Sequence, residues 1–363
     1  IALNGETVLN IILQEDIETL EEVVVVGYGT VKKKDLLGAV SVVKEDALAE
    51  RVSGNIVESM RGLTSGVKIT SSGQPGSNAS IIIRGLGSLT NNNPLFIIDG
   101  AYGGSDLGVN VEDIESIQIL KDASSAAIYG SRAANGVLIV TTKQGKEGPL
   151  KVKFDSQLTL NRLPRYDLMD ASTYKIYNDR AYEEAILAGV GGITKRQNHF
   201  DGDTDWQEEM LETGILQNYN ISLSGGSNTV KYYTSLNRMV DDGALYRTGY
   251  DKYGFRLNTS GQKGIFSYGE NFYYTKSNRT LLNGNPWYDF IFMPPTIPVY
   301  DESHTGGYGF GDVNRANSYG RNPVAMQDLM ERNNEEEYLT GNVFGQVSLF
   351  DILDARLNVA YKS

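Results

Sequence analysis

The spacing of hydrophobic residues changes near residue 150. Before that point, short runs rich in Ile and Val are separated by Gly-rich turns. They are IIIRG (Ile81–Gly85), LFIIDG (Leu95–Gly100), IESIQILKD (Ile114–Asp122) and GVLIVTTK (Gly136–Lys143). Such runs, bounded by turn residues, predict strands. Two helices are predicted among them. Asp46–Gly62 carries Ile56, Val57 and Met60 on one side. DASSAAIYGSRAAN (Asp122–Asn135) opens on Asp122, an N-cap residue, and continues with small residues that permit close packing. Strands and helices mixed in this way predict a small α/β domain.

After residue 150 the apolar residues recur at every second position, as in a strand with two unlike faces. In KVKFDSQLTLN (Lys151–Asn161), Val152, Phe154, Leu158 and Leu160 share one face, and Lys151, Lys153, Asp155, Gln157 and Asn161 share the other. The alternation returns over Tyr219–Leu223, Val230–Leu236, Tyr253–Leu257, Phe266–Tyr274, Leu339–Leu349 and Ala355–Tyr361, which makes about seven strands. GGSNT (Gly225–Thr229) and SGQKG (Ser260–Gly264) are short turns, whereas other connections are long, polar or aromatic. Strands near bilayer-crossing length, with short turns at one end and long loops at the other, suit an outer-membrane barrel. A soluble antiparallel sandwich alternates in the same way. The barrel is favoured because one face is polar and often charged while the other carries many Tyr and Phe. Seven strands do not close a bacterial barrel, whose strand number is even. The chain opens on Ile1 with no secretion signal and stops at Ser363 directly after a strand, so a longer protein is expected.

Composition removes several classes of function. A net charge of −12 argues against nucleic acid. The absence of cysteine excludes a disulfide scaffold, an iron–sulfur site and a thiol nucleophile. The two histidines, His199 and His304, are poor supply for a metal site or a His relay. Gly27–Gly29 and Gly85–Gly87 do not complete a nucleotide loop. A soluble carbohydrate-active enzyme would need a carboxylate pair in a cleft, and the acidic residues are too scattered to nominate one. No catalytic residue or cofactor is therefore assigned, and the protein is not expected to be an enzyme. In DGDTDWQEEMLE, Asp201, Asp203 and Asp205 fall at the first, third and fifth positions of a calcium loop. Trp206 stands where that loop needs Gly, so an acidic cap on a helix Trp206–Leu211 is favoured.

LEEVVVVGYGT (Leu20–Thr30) holds four valines in a row. β-Branched residues favour the extended chain, and a strand that does not alternate is either buried in this domain or kept for a partner. From Leu20 to Gly148 the chain resembles the SusC/RagA family of TonB-dependent outer-membrane transporters. The motifs run in the family's order: EEVVVVGYGTVKKKDLLGAV, DALAERVSGNIVESMRGLTSGVKIT, SGQPGSNASIIIRGLGSL, NNNPLFIIDG and DIESIQILKDASSAAIYGSRAANGVLIVTTKQG. MPPTIPVYD (Met293–Asp301) is also similar to the family, and Ser65 replaces a turn proline common in it. The resemblance implies a mixed fold: a small α/β plug followed by antiparallel strands of a large transmembrane β-barrel, incomplete in this chain. Residues 1–19 would end an N-terminal β-sandwich extension, 20–30 would be the TonB box, 31–148 the plug, and 149–363 the first barrel strands and extracellular loops.

The resemblance also implies roles. Glu22, Val23, Val24, Val25, Val26, Gly27 and Tyr28 would bind the periplasmic domain of TonB by strand addition. Arg84, Asp99, Lys121, Asp122 and Arg132 would pair with the barrel wall or form ordinary surface ion pairs. Trp287, Tyr288, Phe290, Tyr300, Tyr308 and Phe310, in the long loop Thr280–Pro323, would stack on a ligand or pack the loop against the rim or a lid. The implied activity is import of oligosaccharides or oligopeptides across the outer membrane of a Gram-negative bacterium, with the N-terminal segment periplasmic. Implied partners are TonB, a SusD-like surface lipoprotein and outer-membrane lipid, and a dimer of SusC–SusD pairs stays open. A signalling receptor of the same architecture is the alternative.

Overall fold

The computed structural model describes residues 23–26, 29–32, 40–49, 53–88, 91–103, 108–193, 195, 198–311, 320–349 and 353–363. The expectations placed on residues 1–19, Glu22, Gly27 and Tyr28 lie outside these residues. Val23–Val26 (β1) pairs antiparallel with Gly29–Lys32 (β2), with Val26 opposite Gly29. This hairpin is a sheet of its own and does not join the main sheet of the domain that follows.

That sheet has five strands: Val40–Lys44 (β3), Leu95–Ile98 (β6), Ala101–Gly103 (β7), Ile114–Leu120 (β8) and Val137–Thr142 (β9), in the order β3-β8-β9-β6-β7. β6 and β9 run parallel, and the other neighbours are antiparallel. The centre of the sheet is covered on both sides, which is why its strands are continuous apolar runs. One side packs Ile117, Ile119, Leu138 and Val140 against the helices Glu45–Ala49 (α1) and Ile56–Ser59 (α2) and the hairpin Val67–Thr70 (β4) with Ser80–Ile83 (β5). The other packs Ile97, Leu120, Val137 and Ile139 against Ala126 of Ala123–Ala126 (α3) and Ala133.

Both expected helices are broken. Asp46–Gly62 is α1 and α2, interrupted where Asn55 turns extended and its side chain accepts the Val57 N–H at 2.8 Å, starting a new helix. Asp122 sits at the N-cap of α3, yet its side chain makes no cap bond. Beyond α3 the chain passes into two 3₁₀ turns around Gly130, whose φ is 72°. The turn holding Ser65 survives without proline: Gly66, with φ 71°, leads directly into β4.

The second part is a seven-stranded antiparallel meander: Gly148–Asn161 (β10), Gly214–Gly226 (β11), Val230–Asp242 (β12), Gly249–Lys263 (β13), Phe266–Thr280 (β14), Asn333–Leu349 (β15) and Leu353–Lys362 (β16). Register lays its side chains out in rows. Phe154, Ile221, Leu236, Phe255, Tyr274 and Leu339 form one row facing outward. Leu158, Leu357 and Val359 lie on the same outer face and are about two-thirds exposed, at 68%, 71% and 62%. The inner face is the reverse. Asn218, Asn220, Ser222, Ser235, Asn237, Lys252, Arg256, Asn258 and Thr275 are all buried. A soluble sandwich puts its apolar face inside; this sheet puts it outside, as a barrel wall around a polar lumen does. Between Phe266 and Tyr274 the apolar rows rise roughly 20 Å, at ~3.4 Å per residue and a ~40° tilt, close to the ~25 Å band of an outer-membrane barrel.

Connections between β11 and β12 and between β13 and β14 are tight; those between β10 and β11 and between β14 and β15 are long and lie at the opposite end. The long ones carry the helices Ala171–Leu187 (α4), Trp206–Met210 (α5), Pro286–Phe292 (α6) and Pro323–Leu329 (α7). Among the described residues no helix is long and apolar enough to cross a membrane.

Candidate functional site

The N-terminal domain fits against the inner face of the wall through polar contacts. Their centre is Asp99, in the tight turn between β6 and β7, where its φ of 45° is a left-handed conformation that Asp tolerates. Its carboxylate accepts the Thr142 N–H at 2.9 Å and the Thr142 hydroxyl at 2.6 Å, both from β9. It also accepts Arg256 Nη2 of β13 at 2.7 Å, and the two side chains are only 7% and 2% exposed. Asn342 of β15 donates to the Asp99 carbonyl at 3.2 Å.

Around this pair the wall supplies donors and the domain mostly acceptors. Asn258 donates to the Lys143 carbonyl at 2.7 Å, Arg279 to the Gly76 carbonyl at 2.8 Å, and the Tyr273 hydroxyl to the Gly108 carbonyl. The Tyr233 hydroxyl donates to Asp113 at 2.8 Å, and Asn218 to Glu112 at 2.5 Å. Burial, with the neighbouring Asp113 charge adding to it, pushes the Glu112 carboxyl above its ordinary pKa against the pull of Lys252 and of the hydrogen bonds. At the tip, Gly76 has φ 62°, and any Cβ there would run into the Tyr250 ring. The aliphatic cores of the domain lie within it; Tyr273 is the wall side chain buried with them.

Of the five charged residues singled out in the sequence, Asp99 reaches the wall. Arg84 and Asp122 pair with each other, Lys121 donates to the Ser65 carbonyl at 2.7 Å, and Arg132 lies 5.2 Å from the centre of the Tyr102 ring. The partners of these contacts all lie within the domain. Partial burial, followed by the nearby Arg84 charge, lowers the Lys121 pKa. Arg256, Thr142, Tyr273 and Asn342 were not singled out. The available signal was Arg256 on the polar face of its strand, since an arginine in a lumen needs a carboxylate.

A cavity of about 730 Å³ opens between the domain tip and the long-loop end of β10–β12. Its lining is mixed: Asn55, Gln74, Arg162 and Asp241 share it with Leu160, Leu163, Leu216 and Leu245. None of the six loop aromatics lines it. Phe290 is 1% exposed in a core with Phe200, Trp206, Met210, Met293, Ile297 and Val324, and Trp287 packs against that core. Phe290 is thus held in the packing between the long loops. Tyr288 stacks on Phe292, Tyr300 on Tyr308, and Phe310 meets His304 edge-on. The Tyr308 hydroxyl donates to Asp328 at 2.8 Å, which raises its pKa to about 12.

The MPPTIPVYD segment is clamped by the first long loop: Trp206 Nε1 donates to the Pro294 carbonyl at 3.1 Å, and the Thr204 N–H to the Pro295 carbonyl at 2.7 Å. Asp205 caps α5 through the Gln207 and Glu208 N–H groups, and Asp203 accepts the Ala171 N–H. These carboxylates serve helix starts, while Asp201 stays exposed. Among the described residues no three His, Asp or Glu side chains are grouped to hold a metal.

Comparison with known proteins agrees with this layout. Residues 32–137 match the TonB-dependent receptor plug domain. The chain is 32% identical to the TonB-dependent receptor SusC of Bacteroides thetaiotaomicron over 97% of its own length and 37% of that protein. It is 34% identical to a TonB-dependent receptor of Formosa agariphila over 95% of its length and 35% of that protein. The structure of the RagAB peptide importer in an open-open state superposes with a TM-score of 0.76 at 26% identity, covering 94% of this chain and 42% of that one. The fold is thus the plug of a TonB-dependent receptor followed by part of its barrel wall. The relatives carry the names of transporters and receptors, not of enzymes. Within that class the chain belongs to the SusC/RagA-type TonB-dependent transporters, spanning well under half the length of the relatives it matches.

Proposed function

We propose that the whole protein imports an oligomeric nutrient, an oligosaccharide or an oligopeptide, across the outer membrane. TonB supplies the force and a SusD-like surface lipoprotein helps capture the cargo. One observation carries this reading: the plug is held in the wall by hydrogen bonds and one buried ion pair, while its apolar cores stay inside it. A neutral hydrogen bond nets only about 0.5–1.5 kcal/mol, because water replaces it when it breaks. Such a plug is seated at rest and movable under load without exposing an apolar core. The cargo would gather in the cavity above the plug tip. The likeness to the structure of a peptide importer supports a peptide, and a lining of mixed polar and apolar side chains suits either oligomer.

TonB would grip Val23–Val26, which in the isolated chain pairs with Gly29–Lys32 and keeps its other edge for strand addition. The N-terminal segment would then lie in the periplasm. The test is binding of a peptide of residues 20–32 to the purified TonB C-terminal domain, with uptake by cells carrying the full-length protein. Micromolar binding, lost together with uptake when Val25 is replaced by Pro, is expected. Uptake that persists in a strain lacking TonB would overturn the reading.

A further inference from the structure

The outward face of the wall carries one feature that nutrient import does not use. An apolar groove of about 420 Å³ crosses five strands and is lined by Phe154, Ile221, Leu236, Tyr253, Phe255 and Tyr274, with Arg238 at one end. Leu236 and Tyr253 are more than half exposed, so the groove is open to whatever surrounds the wall.

Arg238 lies one row nearer the long loops than the row Phe154–Leu339. In register it stands between Tyr219 and Tyr253, with Lys276 beyond Tyr253. This row is where the outer face turns from apolar to charged. The tyrosines mark the boundary, as aromatic girdles do at membrane interfaces. The guanidinium lies 3.9 Å from the centre of the Tyr253 ring, and Nη2 forms an ion pair with the Asp251 carboxylate at 2.8 Å. These contacts fix its position. They also leave donors over, since a guanidinium has five N–H groups and the side chain stays about one-third exposed. Lys276, two strands from Arg238 and so about 10 Å away, adds a second cation to the row. The nearby carboxylates already have partners, Asp251 with Arg238 and Glu337 with the Tyr274 hydroxyl at 2.8 Å.

An apolar slot capped by a fixed arginine at the level of the interface fits an amphiphile whose head carries a planar-fork acceptor. Phosphate is the chemistry that suits the arginine fork. We propose that this groove holds one acyl chain of a phosphate-bearing outer-leaflet lipid, with the lipid phosphate on Arg238. The proposal rests on the reading of the seven-stranded sheet as an outer-membrane wall with its long loops outside.

The test uses native mass spectrometry of the full-length protein in detergent, titrated with dimyristoyl phosphatidic acid and, separately, with dimyristoylglycerol, which lacks the phosphate. The phosphatidic acid adduct is expected to be about tenfold stronger, the weak end of what a charge-assisted hydrogen bond supplies. Arg238→Gln should remove that preference and Arg238→Lys should keep part of it. Leu236→Trp fills the slot without touching the cation, so it should weaken both lipids and serves if Arg238→Gln fails to assemble. Equal binding of the two lipids, or an adduct indifferent to Arg238→Gln and Leu236→Trp, overturns the lipid site and leaves the wall reading standing. Recovery of the full-length protein from cells in buffer without detergent overturns the wall reading itself, and the lipid site with it.

Discussion

Replacing Asp99 by Asn tests whether the plug is pinned to the wall at the point the geometry indicates. Asn tolerates the left-handed turn and keeps an acceptor for the Thr142 N–H, so the backbone at 99 should hold. What is lost is the charge facing Arg256, whose guanidinium is 2% exposed. An unpaired buried charge left by removing its partner costs about 3–5 kcal/mol. That greatly exceeds the loss of any single neutral contact along the interface, at about 1 kcal/mol. Arg256→Met should cost less, because Asp99 keeps both Thr142 donors, at 2.9 and 2.6 Å. The double variant Asp99→Asn with Arg256→Met should be closer to wild type than Asp99→Asn alone, since no charge is then stranded. The assay is passive sugar leak through the full-length protein in proteoliposomes, with thermal unfolding in detergent alongside. Leak should rank Asp99→Asn above Arg256→Met, and the double-variant cycle should show coupling of about 2 kcal/mol or more. Additive effects, or a leak in Asp99→Asn no larger than in Asn258→Ala, would refute the assignment of this pair as the pin.

Three further outcomes follow from the same structure. Val24→Pro or Val25→Pro removes a main-chain donor from the segment proposed for TonB. Transport should be lost while thermal unfolding and outer-membrane assembly are unchanged, and an uptake assay beside a melting curve checks this. Glu112 has a folded pKa above its unfolded one, so the folded protein holds its proton more tightly. Its burial is least costly at low pH and grows more costly as pH rises from the unfolded pKa toward the folded one. Glu112→Gln should therefore raise the melting temperature at neutral pH, with the gain vanishing near pH 4. A gain independent of pH would show that the carboxyl is not the cause. Trp206→Ala empties the rim core that joins the two long loops, a change that costs about 3–5 kcal/mol for a buried aromatic. Limited proteolysis should then cut the loops 162–213 and 281–332 without releasing the plug.

Period two was enough to read the wall from the sequence. Val152, Phe154, Leu158 and Leu160 share a face in the chain and in the sheet, because side-chain alternation is a local property of an extended backbone. Helix length was less legible. Asn55 and Gly130 end or restart helices through local bonds and backbone freedom that an apolar pattern does not weigh. Contacts between the two parts were the least legible. Asp99 and Arg256 are 157 residues apart, and no spacing rule links them. Arg84 and Asp122 looked equally suited to the wall, yet the fold brings them to each other. Phe290 shows the same limit: an aromatic in a long loop reads the same whether it meets a ligand or, as here, a core assembled from two loops.

Accessibility of spin labels on the wall tests the central claim, that this sheet faces lipid outside and a polar plug inside. The chain has no cysteine of its own, so introduced ones label cleanly. Labels at Leu236, Phe255 and Leu257 point outward, and labels at Ser235, Asn237 and Asn258 point inward. In liposomes carrying the full-length protein, the outward set should relax with oxygen and not with a water-soluble nickel chelate. The inward set should be shielded from both while the plug is seated. Nickel relaxation at Leu236, Phe255 and Leu257 equal to that of an exposed loop would contradict the account, because it would place this apolar face in water.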